Sequence, residues 1–330
     1  MKDRKIIIGS RASELAVWQA EFVRKKIKRD FPQLDIEIKT ITTKGDLIID
    51  KPLDKIEDKG LFTKEIEKEL LEGKIDLAVH SLKDLQVFTP KGLILGAVTE
   101  RHSAEDVIIA RQKKLSIRKL PKNAIVATGS LRRKAQILYL RKDIQIVDVR
   151  GNIGTRIKKF LESNWDAMIL AKAGLERLGM DEYISAELDF NEMLPAVGQG
   201  ALGIEIREND ESIKSLIRKL NHEDTEMCVR AERAFLRRLG GGCKNPIAAN
   251  AKIKGISLII DGLVATEDGR YYYRSTVYGS RNEPEKIGRK LAESILNMGA
   301  NKIIRDPLKN RNKFMRKPNA KFQKIQKNKK

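Results

Sequence analysis

The sequence is poor in cysteine, histidine and aromatic residues. It contains two cysteines, three histidines and 5% aromatic residues among 330 residues. Two cysteines cannot build a disulfide framework, and Cys228 and Cys243 match no common zinc-binding spacing, so we expect a reducing cytoplasmic compartment and no metal site. Apolar runs are short as well. None approaches the roughly 18 uninterrupted apolar residues of a membrane span, and the run that ends at Gly9 is too short for a signal-peptide core.

The chain is long and strongly basic. A chain of 330 residues predicts two or three domains. The formal net charge is +21, and residues 309–330 hold ten Lys/Arg and no acid, which leaves +11 on the rest of the chain. We expect residues 306–330 to be a disordered basic tail. A basic body suits an anionic ligand, but a general lysine bias explains the charge equally well.

Strand-like and helix-like stretches alternate through the first two thirds of the chain. The β-branched run Lys5–Gly9 indicates a strand, and the spacing of Leu15, Trp18, Phe22 and Ile27 indicates a helix. A second set of alternations predicts strands at Val107–Ala110, Ile125–Thr128, Ile144–Val149 and Ala167–Ala171, and helices at Leu131–Leu140 and Ile153–Leu161. Such alternation packs helices on parallel or mixed sheets, so we predict two similar α/β domains.

The pattern changes after about residue 220. An amphipathic helix, Glu223–Leu239, is followed by three strand-like stretches with no helix between them, and Glu283–Met298 indicates a last helix. The predicted strands are Ile247–Ile253, Ser257–Thr266 and Tyr271–Tyr278, with breaks at Asp261-Gly262 and Asp268-Gly269. This predicts a small α+β domain with an antiparallel sheet.

Two patterns carry little weight. Gly198-Gln-Gly200-Ala-Leu-Gly203 spells a dinucleotide-binding motif, but alternating apolar residues follow it, which predicts a strand instead of the required helix. His80, Ser81 and Asp84 share letters with a hydrolase triad, yet neighbours on one segment rarely converge as nucleophile, base and orienting group.

Three segments carry unusual chemistry. Lys83 and Asp84 follow a predicted strand, where ligands collect in α/β sheets, although a solvated surface ion pair is the simpler interpretation on spacing alone. Arginines cluster at two helix starts, in Thr128-Gly-Ser130-Leu-Arg132-Arg133 and in Arg150-Gly-Asn-Ile-Gly-Thr-Arg156, where they favour a ligand with several carboxylates. Cys243 follows three glycines among basic residues, which suits either a reactive thiolate or a plain loop cysteine.

Together these segments resemble the porphobilinogen deaminases, also called hydroxymethylbilane synthases, of tetrapyrrole biosynthesis. The resemblance runs from about Lys5 to about Ile304. The segments that carry it, in the family's order, are Gly9-Ser-Arg11-Ala-Ser13-Glu-Leu-Ala-Val-Trp-Gln19, Lys44-Gly-Asp46, Lys59-Gly-Leu-Phe62-Thr-Lys-Glu65, His80-Ser-Leu-Lys83-Asp84, Gly129-Ser-Leu-Arg132-Arg133, Arg150–Arg156, Leu194-Pro-Ala-Val-Gly-Gln199-Gly-Ala and Gly241-Gly-Cys243.

The resemblance implies an architecture. Two α/β domains like those of type II periplasmic binding proteins enclose a cleft, and a small α+β domain follows. The implied boundaries are 1–99 with about 195–218 for the first domain, 100–194 for the second and 219–305 for the third. The resemblance also implies a monomer that joins four porphobilinogen molecules head to tail on a dipyrromethane cofactor, releases ammonia at each step, and frees hydroxymethylbilane by hydrolysis.

Residue roles follow from the matching motifs. Asp84 matches the catalytic aspartate, and Cys243 matches the cysteine that holds the cofactor through a thioether. The implied cofactor- and substrate-binding residues are Arg11, Ser13, Lys59, Ser81, Lys83, Thr128, Ser130, Arg132, Arg133, Arg150, Arg156 and Gln199. The chain departs from the family at Gln86, where proline is usual, and at Lys244 and Ala248 beside the cysteine loop.

Two other interpretations compete with this one. A binding protein of the same two-lobed fold would need no cysteine in a third domain and would usually carry a signal peptide. A nucleic-acid-binding protein is suggested by the isoelectric point near 9.8. The body of the chain has no recognisable nucleic-acid-binding motif, so we expect no required nucleic acid and no membrane partner, and only weak RNA or lipid binding by the tail.

Overall fold

The computed structural model describes residues 5–47, 60–112, 116–241 and 245–304. These residues form three sheets with helices packed against them. None of the described helices is both long and apolar enough to span a membrane. Lys59, Cys243, Lys244 and the basic tail 306–330 lie outside the described residues.

The first sheet has five strands in the order β2-β1-β3-β10-β4. Its strands are β1 (Ile6–Arg11), β2 (Ile36–Ile41), β3 (Leu77–Ser81), β4 (Leu93–Val98) and β10 (Leu202–Arg207). Its helices are α1 (Glu14–Asp30), α2 (Lys44–Leu47), α3 (Lys64–Leu71) and α7 (Glu211–Ile217). β1 runs parallel to β2 and β3, whereas β10 runs antiparallel to both of its neighbours.

The second sheet repeats this plan in the order β7-β6-β8-β5-β9. Its strands are β5 (Asp106–Ala110), β6 (Ile125–Ala127), β7 (Gln145–Val147), β8 (Ala167–Ala171) and β9 (Ala186–Leu188). Its helices are α4 (Leu131–Leu140), α5 (Ile153–Glu162) and α6 (Lys172–Leu178). β6 runs parallel to β7 and β8, and β5 runs antiparallel to β8 and β9. The prediction of two similar α/β domains with mixed sheets is confirmed.

The third sheet is antiparallel and has the order β11-β12-β13. Its strands are β11 (Ile247–Lys254), β12 (Ser257–Ala265) and β13 (Tyr272–Ser280), and its helices are α8 (Glu223–Arg238) and α9 (Pro284–Asn297). Phe235 from α8 and Leu291 from α9 are fully buried against Ile260 of the sheet. The predicted small α+β domain with a three-stranded sheet is therefore confirmed.

The predicted break at Asp261-Gly262 is wrong, because both residues lie inside β12 and pair with β11 and β13. Asp261 forms an ion pair with Arg274 across the sheet, which compensates its low strand propensity. Glycine is required at 262 because a Cβ atom there would lie 2.5 Å from Leu291 Cδ2 and 3.1 Å from Phe235 Cζ. The break at Asp268-Gly269 is confirmed, with Gly269 at φ +66°.

The order of strands brings two segments beside the carboxyl end of β3. Leu202 pairs with Ser81, so the segment that enters β10 starts at this edge. The same segment passes the connection between β4 and β5 closely, since a Cβ on Gly200 would lie 2.6 Å from the His102 carbonyl oxygen. In the second sheet Asp106 pairs with Ala171 and so lies at the carboxyl end of β8. Side chains from both sheets thereby meet at one place.

Candidate functional site

Lys83 and Asp84 occupy a short 3-10 turn, Leu82–Asp84, directly after β3. Both residues are exposed, but the Lys83 ammonium end is enclosed by protein atoms and lies 3.4 Å from Gln199 Oε1. This enclosure lowers the pKa of Lys83 to about 8; Asp84 and Asp106 oppose the shift, and Arg133 and Arg132 add to it. Burial is therefore the main cause of the lowered pKa of Lys83.

Asp106 binds the two arginines that start α4. Its carboxylate lies 2.7 Å from Arg132 Nη1 and 2.7 Å from Arg133 Nη2, and Gln199 Nε2 donates to it at 3.0 Å. Burial alone would raise the pKa of Asp106, but the two guanidinium groups outweigh burial and hold this pKa well below its usual range. Arg132 and Arg133 are only 7% and 6% exposed, so their placement is fixed by this buried acid.

The remaining predicted residues of the second sheet lie at the starts of α4 and α5. Ser130 caps α4 by accepting from the Arg133 amide, and Thr128 Oγ1 accepts from the Ser130 amide at 3.3 Å. Arg156 Nε donates to the Gly151 carbonyl at 2.7 Å. Burial, Arg133 and Arg150 lower the pKa of Arg156 to about 10, while Asp84 opposes the shift. Arg156 thus lies within electrostatic reach of Asp84 on the opposite sheet.

Arg11 ends β1 on the first sheet. Its guanidinium pairs with Asp46 and lies over the Phe62 ring, 4.2 Å from the ring centre. Ser13 is the residue that precedes α1, and its side chain makes no described capping bond there. Ser81 Oγ accepts a hydrogen bond of 2.8 Å from Gln19 Nε2. Arg11 and Ser81 are therefore the last residues of neighbouring parallel strands, β1 and β3, at one edge of the sheet.

The described residues next to Cys243 approach the segment that follows Asp84. A Cβ on Gly241 would lie 3.8 Å from Val87 and 3.9 Å from Phe88. The other cysteine, Cys228, is buried in α8, and burial raises the pKa of its thiol to about 12. Cys228 is therefore protonated and unreactive at neutral pH.

Sequence reasoning missed Asp106, Gln19 and Glu232. Asp106 and Gln19 orient predicted site residues, and Glu232 is a fully buried carboxylate that joins three segments. It accepts hydrogen bonds from Arg101 Nη2 at 2.8 Å, the Gly198 amide at 2.7 Å and the Ala251 amide at 2.8 Å. The sequence did offer a signal for the two acids: Glu232 lies on the apolar face of a predicted helix, and Asp106 begins an apolar strand.

The donor set of this site fits a group that carries several carboxylates. Burial is the largest cause of the lowered pKa values of Lys83 and Arg156; Arg133 lowers both further, and Asp84 opposes both shifts. The carboxylates of a polycarboxylate would favour the charged forms of these cations. The described residues contain no group of three His, Cys, Asp or Glu side chains arranged to hold a metal ion.

Comparison with known proteins assigns this arrangement to a family. The family model "Porphobilinogen deaminase, dipyromethane cofactor binding domain" matches residues 6–215. The model "Porphobilinogen deaminase, C-terminal domain" matches residues 226–297. The chain belongs to the porphobilinogen deaminase family. The resemblance inferred from the sequence motifs is confirmed, and the first model covers every described residue that we predict to lie in the site.

Curated relatives agree with the family assignment. The porphobilinogen deaminase of Chlorobaculum parvum is 49% identical over 306 residues, which are 92% of this chain and 98% of the relative. That of Alkaliphilus metalliredigens is 49% identical over 91% of this chain and 95% of its own length. Among solved structures, the periplasmic aliphatic sulphonate binding protein SsuA from Escherichia coli matches 71% of this chain and 70% of its own at a TM-score of 0.38 and 14% identity. At that score the similarity adds nothing to the assignment.

Proposed function

We propose that the chain acts as a hydroxymethylbilane synthase. It condenses four porphobilinogen molecules head to tail, releases one ammonia at each condensation, and hydrolyses the linear tetrapyrrole from the enzyme. Membership of the porphobilinogen deaminase family supports this activity. The structural observation that carries it is the position of Asp84, which lies within electrostatic reach of Lys83 and Arg156 at the facing edges of two sheets.

Dipyrromethane is the proposed cofactor, attached to Cys243 through a thioether. When bound, it supplies a terminal pyrrole carbon as the nucleophile for the first condensation. The residues proposed to hold its carboxylates and those of the substrate share positive charge or hydrogen-bonding capacity; they are Arg11, Ser13, Lys59, Ser81, Lys83, Thr128, Ser130, Arg132, Arg133, Arg150, Arg156 and Gln199. The clustering of Lys83, Arg132, Arg133 and Arg156 within electrostatic reach of one another supports this assignment.

Asp84 is the proposed catalytic residue. Loss of ammonia from porphobilinogen places positive charge on the substrate's pyrrole ring and its nitrogen. A fixed carboxylate accepts a hydrogen bond from the pyrrole N–H group and stabilises that charge in the transition state. If the carboxylate takes up that pyrrole proton, the resulting carboxylic acid can pass it toward the departing amine and return to the carboxylate form. Asp84 suits both tasks because it is exposed on a short turn that follows the rigid strand β3.

The proposed domain division follows the sheets. Residues 1–99 with about 195–218 form the first domain, 100–194 the second and 219–305 the third. The return of the chain to the first sheet through β10 supports the split first domain. We also propose that the protein is cytoplasmic, which fits a chain with few cysteines. We further propose that it is a monomer, which light scattering of the purified protein would test.

Turnover of porphobilinogen by the Asp84→Asn variant tests the proposed function. The variant keeps the shape of the side chain but loses its charge, so kcat should fall by about a hundredfold or more. Asp181→Asn is the matched control, because Asp181 is an exposed aspartate on a 3-10 turn beyond α6. Ammonia release and tetrapyrrole formation should be unchanged in this control. Near-normal turnover by Asp84→Asn would remove Asp84 from the mechanism.

A further inference from the structure

A group of buried titratable side chains lies behind the Asp84 turn and has no part in the chemistry described so far. His80 comes from β3, Glu205 from β10 and Glu67 from α3; we call them the His80 cluster. They are 5%, 0% and 4% exposed, respectively. His80 Nε2 lies 3.3 Å from Glu205 Oε2. The cluster occupies the face of the first sheet that packs against α3.

The cluster is short of hydrogen-bond partners. Among the described residues, His80 Nε2, both carboxylate oxygens of Glu205 and Glu67 Oε1 are buried and accept or donate no hydrogen bond. A buried charge is tolerated only when another charge or a proton compensates it. These buried groups therefore depend on one another, and on nearby charges, for compensation.

The charged groups around the cluster come from four elements. His80 lies on β3 and Glu205 on β10. Glu67 and Lys64 lie on α3. Arg233, on α8, lies within electrostatic reach of Glu205. Burial raises the pKa of Glu67; the Thr63 hydroxyl opposes this, Glu205 raises it further, and His80 and Lys64 lower it. Glu67 thus lies beside one acid that disfavours its charge and two cations that favour it.

Residues on both sides of the Asp84 turn interact with Glu205. His80 is followed directly by Ser81 and then by the turn Leu82–Asp84. On the other side of the turn, Arg233 donates to the Leu85 carbonyl at 3.3 Å and to the Gln86 carbonyl at 2.6 Å. Glu205 is the acid whose charge acts on Arg233. Glu205 therefore contacts the residue that leads into the turn and acts electrostatically on the arginine that binds the far side of the turn.

We propose that Glu205 and His80 are positioning residues that hold the Asp84 turn in its reactive geometry, with Glu67 as a buried neighbouring acid whose ionisation disturbs them. His80 Nε2 lies 3.3 Å from Glu205 Oε2, and Arg233 binds the far end of the turn. A second negative charge on Glu67 repels Glu205 and loosens this arrangement. The inference rests on the proposed role of Asp84.

Glu205→Gln is the first test, because it removes the charge without changing the volume of the side chain. We expect kcat to fall between about ten- and a hundredfold, since small displacements of a catalytic group have effects of this size. KM for porphobilinogen and the mass of the attached cofactor should stay as in the unchanged chain. His80→Gln should act similarly, and the double variant should be no slower than the slower single variant, since both substitutions break one interaction.

Asp76→Asn is the matched control. Asp76 is also a buried acid, 4% exposed, and it precedes the same strand at the end remote from the turn, where it pairs with Arg207 at 3.3 Å. This variant should lose stability but keep its kcat at temperatures well below its melting point. If Glu205→Gln keeps a normal kcat, or loses only as much as Asp76→Asn, the positioning role is overturned.

Glu67→Gln gives a readout that does not depend on the stability of the Glu205 variant. Glutamine fixes the neutral state, so the ratio of its kcat to that of the unchanged chain should be near one at acidic pH. The ratio should rise as the pH increases through the raised pKa of Glu67, because only the unchanged chain gains the second negative charge. A ratio that stays flat contradicts the inference. Full turnover by Asp84→Asn would instead contradict the proposed function, so the two failures are distinguishable.

Discussion

Asp106 accepts charge-assisted hydrogen bonds from Arg133 and Gln199, and it forms an ion pair with Arg132, the preceding residue of α4. Arg133 also donates to the Ile169 carbonyl at 2.9 Å, and Arg132 donates to the Leu194 carbonyl at 2.7 Å. The two guanidinium groups are thus oriented by protein acceptors on their buried side. We therefore expect these two guanidinium groups to attract an anionic ligand from a fixed position.

Asp106→Asn should destabilise the fold strongly. Removing one partner of a buried ion pair leaves uncompensated charge and typically costs about 3–5 kcal/mol. The free energy of unfolding in urea measures this loss. The control is Glu293→Gln, which breaks the exposed pair with Arg238 at 2.6 Å and should cost less than about 1 kcal/mol. Equal losses in the two variants would mean that Asp106 is not the counterion on which these arginines depend.

The residues that carry the predicted chemistry were accessible from the sequence, but their partners were not. The turn with Lys83 and Asp84 and the arginines after β6 stand in recognisable local motifs. Asp106 is one acid at the start of an apolar strand, and its pairing with Arg132 and Arg133 arises only when β5 runs antiparallel beside β8. Tertiary pairing of this kind leaves no local pattern.

At the scale of elements, the predicted helix Leu131–Leu140 and strand Ala167–Ala171 have the observed bounds. Periodicity identified α1 but not its buried face. Trp18 is 36% exposed and stacks on Phe22 at 5.5 Å, whereas the smaller residues Ala20 and Val23 are fully buried. The sequence pattern gave most weight to the large aromatic residues. The helix instead packs closely on the sheet through its small residues. Strand β9 has three residues and was not predicted.

Gly262→Ala should disturb the packing of α8 and α9 on the third sheet. Its Cβ would lie 2.5 Å from Leu291 Cδ2 and 3.1 Å from Phe235 Cζ, and overpacking of this kind costs about 1–3 kcal/mol. Gly154→Ala is the opposite case, since its nearest atom is Asn152 Oδ1 at 3.8 Å and its backbone is helical. That variant should gain about 0.5–1 kcal/mol. Thermal unfolding of both proteins measures the difference, and a stabilised Gly262→Ala would refute the close packing.

At the scale of the whole molecule, one acid ties the third sheet to the segments that join the other two. Glu232 on α8 binds Arg101, which follows β4, and the Gly198 amide, which precedes β10. Arg101 also donates to the Gln199 carbonyl at 3.0 Å, and the Gln199 side chain reaches Lys83 and Asp106. A continuous set of polar contacts therefore runs from α8 to the candidate site.

The lowered pKa of Lys83 predicts a pH-dependent effect of the cofactor on stability. The pKa of Lys83 is lowered from 10.5 to about 8 in the folded chain. Its ammonium therefore destabilises the fold below about pH 8, and this penalty is relieved as the pH rises toward 10.5, where the unfolded chain also loses the proton. Carboxylates of a bound cofactor balance the charge, so the cofactor should stabilise most below about pH 8.

The difference in Tm between the cofactor-bearing chain and its Cys243→Ser variant measures this effect. The difference should shrink between about pH 8 and pH 9.5 as Lys83 loses its proton. Lys83→Arg should keep the difference nearly constant over this range, because arginine stays charged. A difference that does not vary with pH in the unchanged chain would argue against charge compensation at Lys83.

The proposed function requires that this chain carry a dipyrromethane on Cys243 and extend it with porphobilinogen. The intact mass of the purified protein, compared with that of Cys243→Ser, is the measurement to make. We expect an added mass of two linked pyrrole units that is absent from the variant, and further pyrrole increments when porphobilinogen is supplied. A bare polypeptide mass that stays unchanged after incubation with porphobilinogen would contradict the claim.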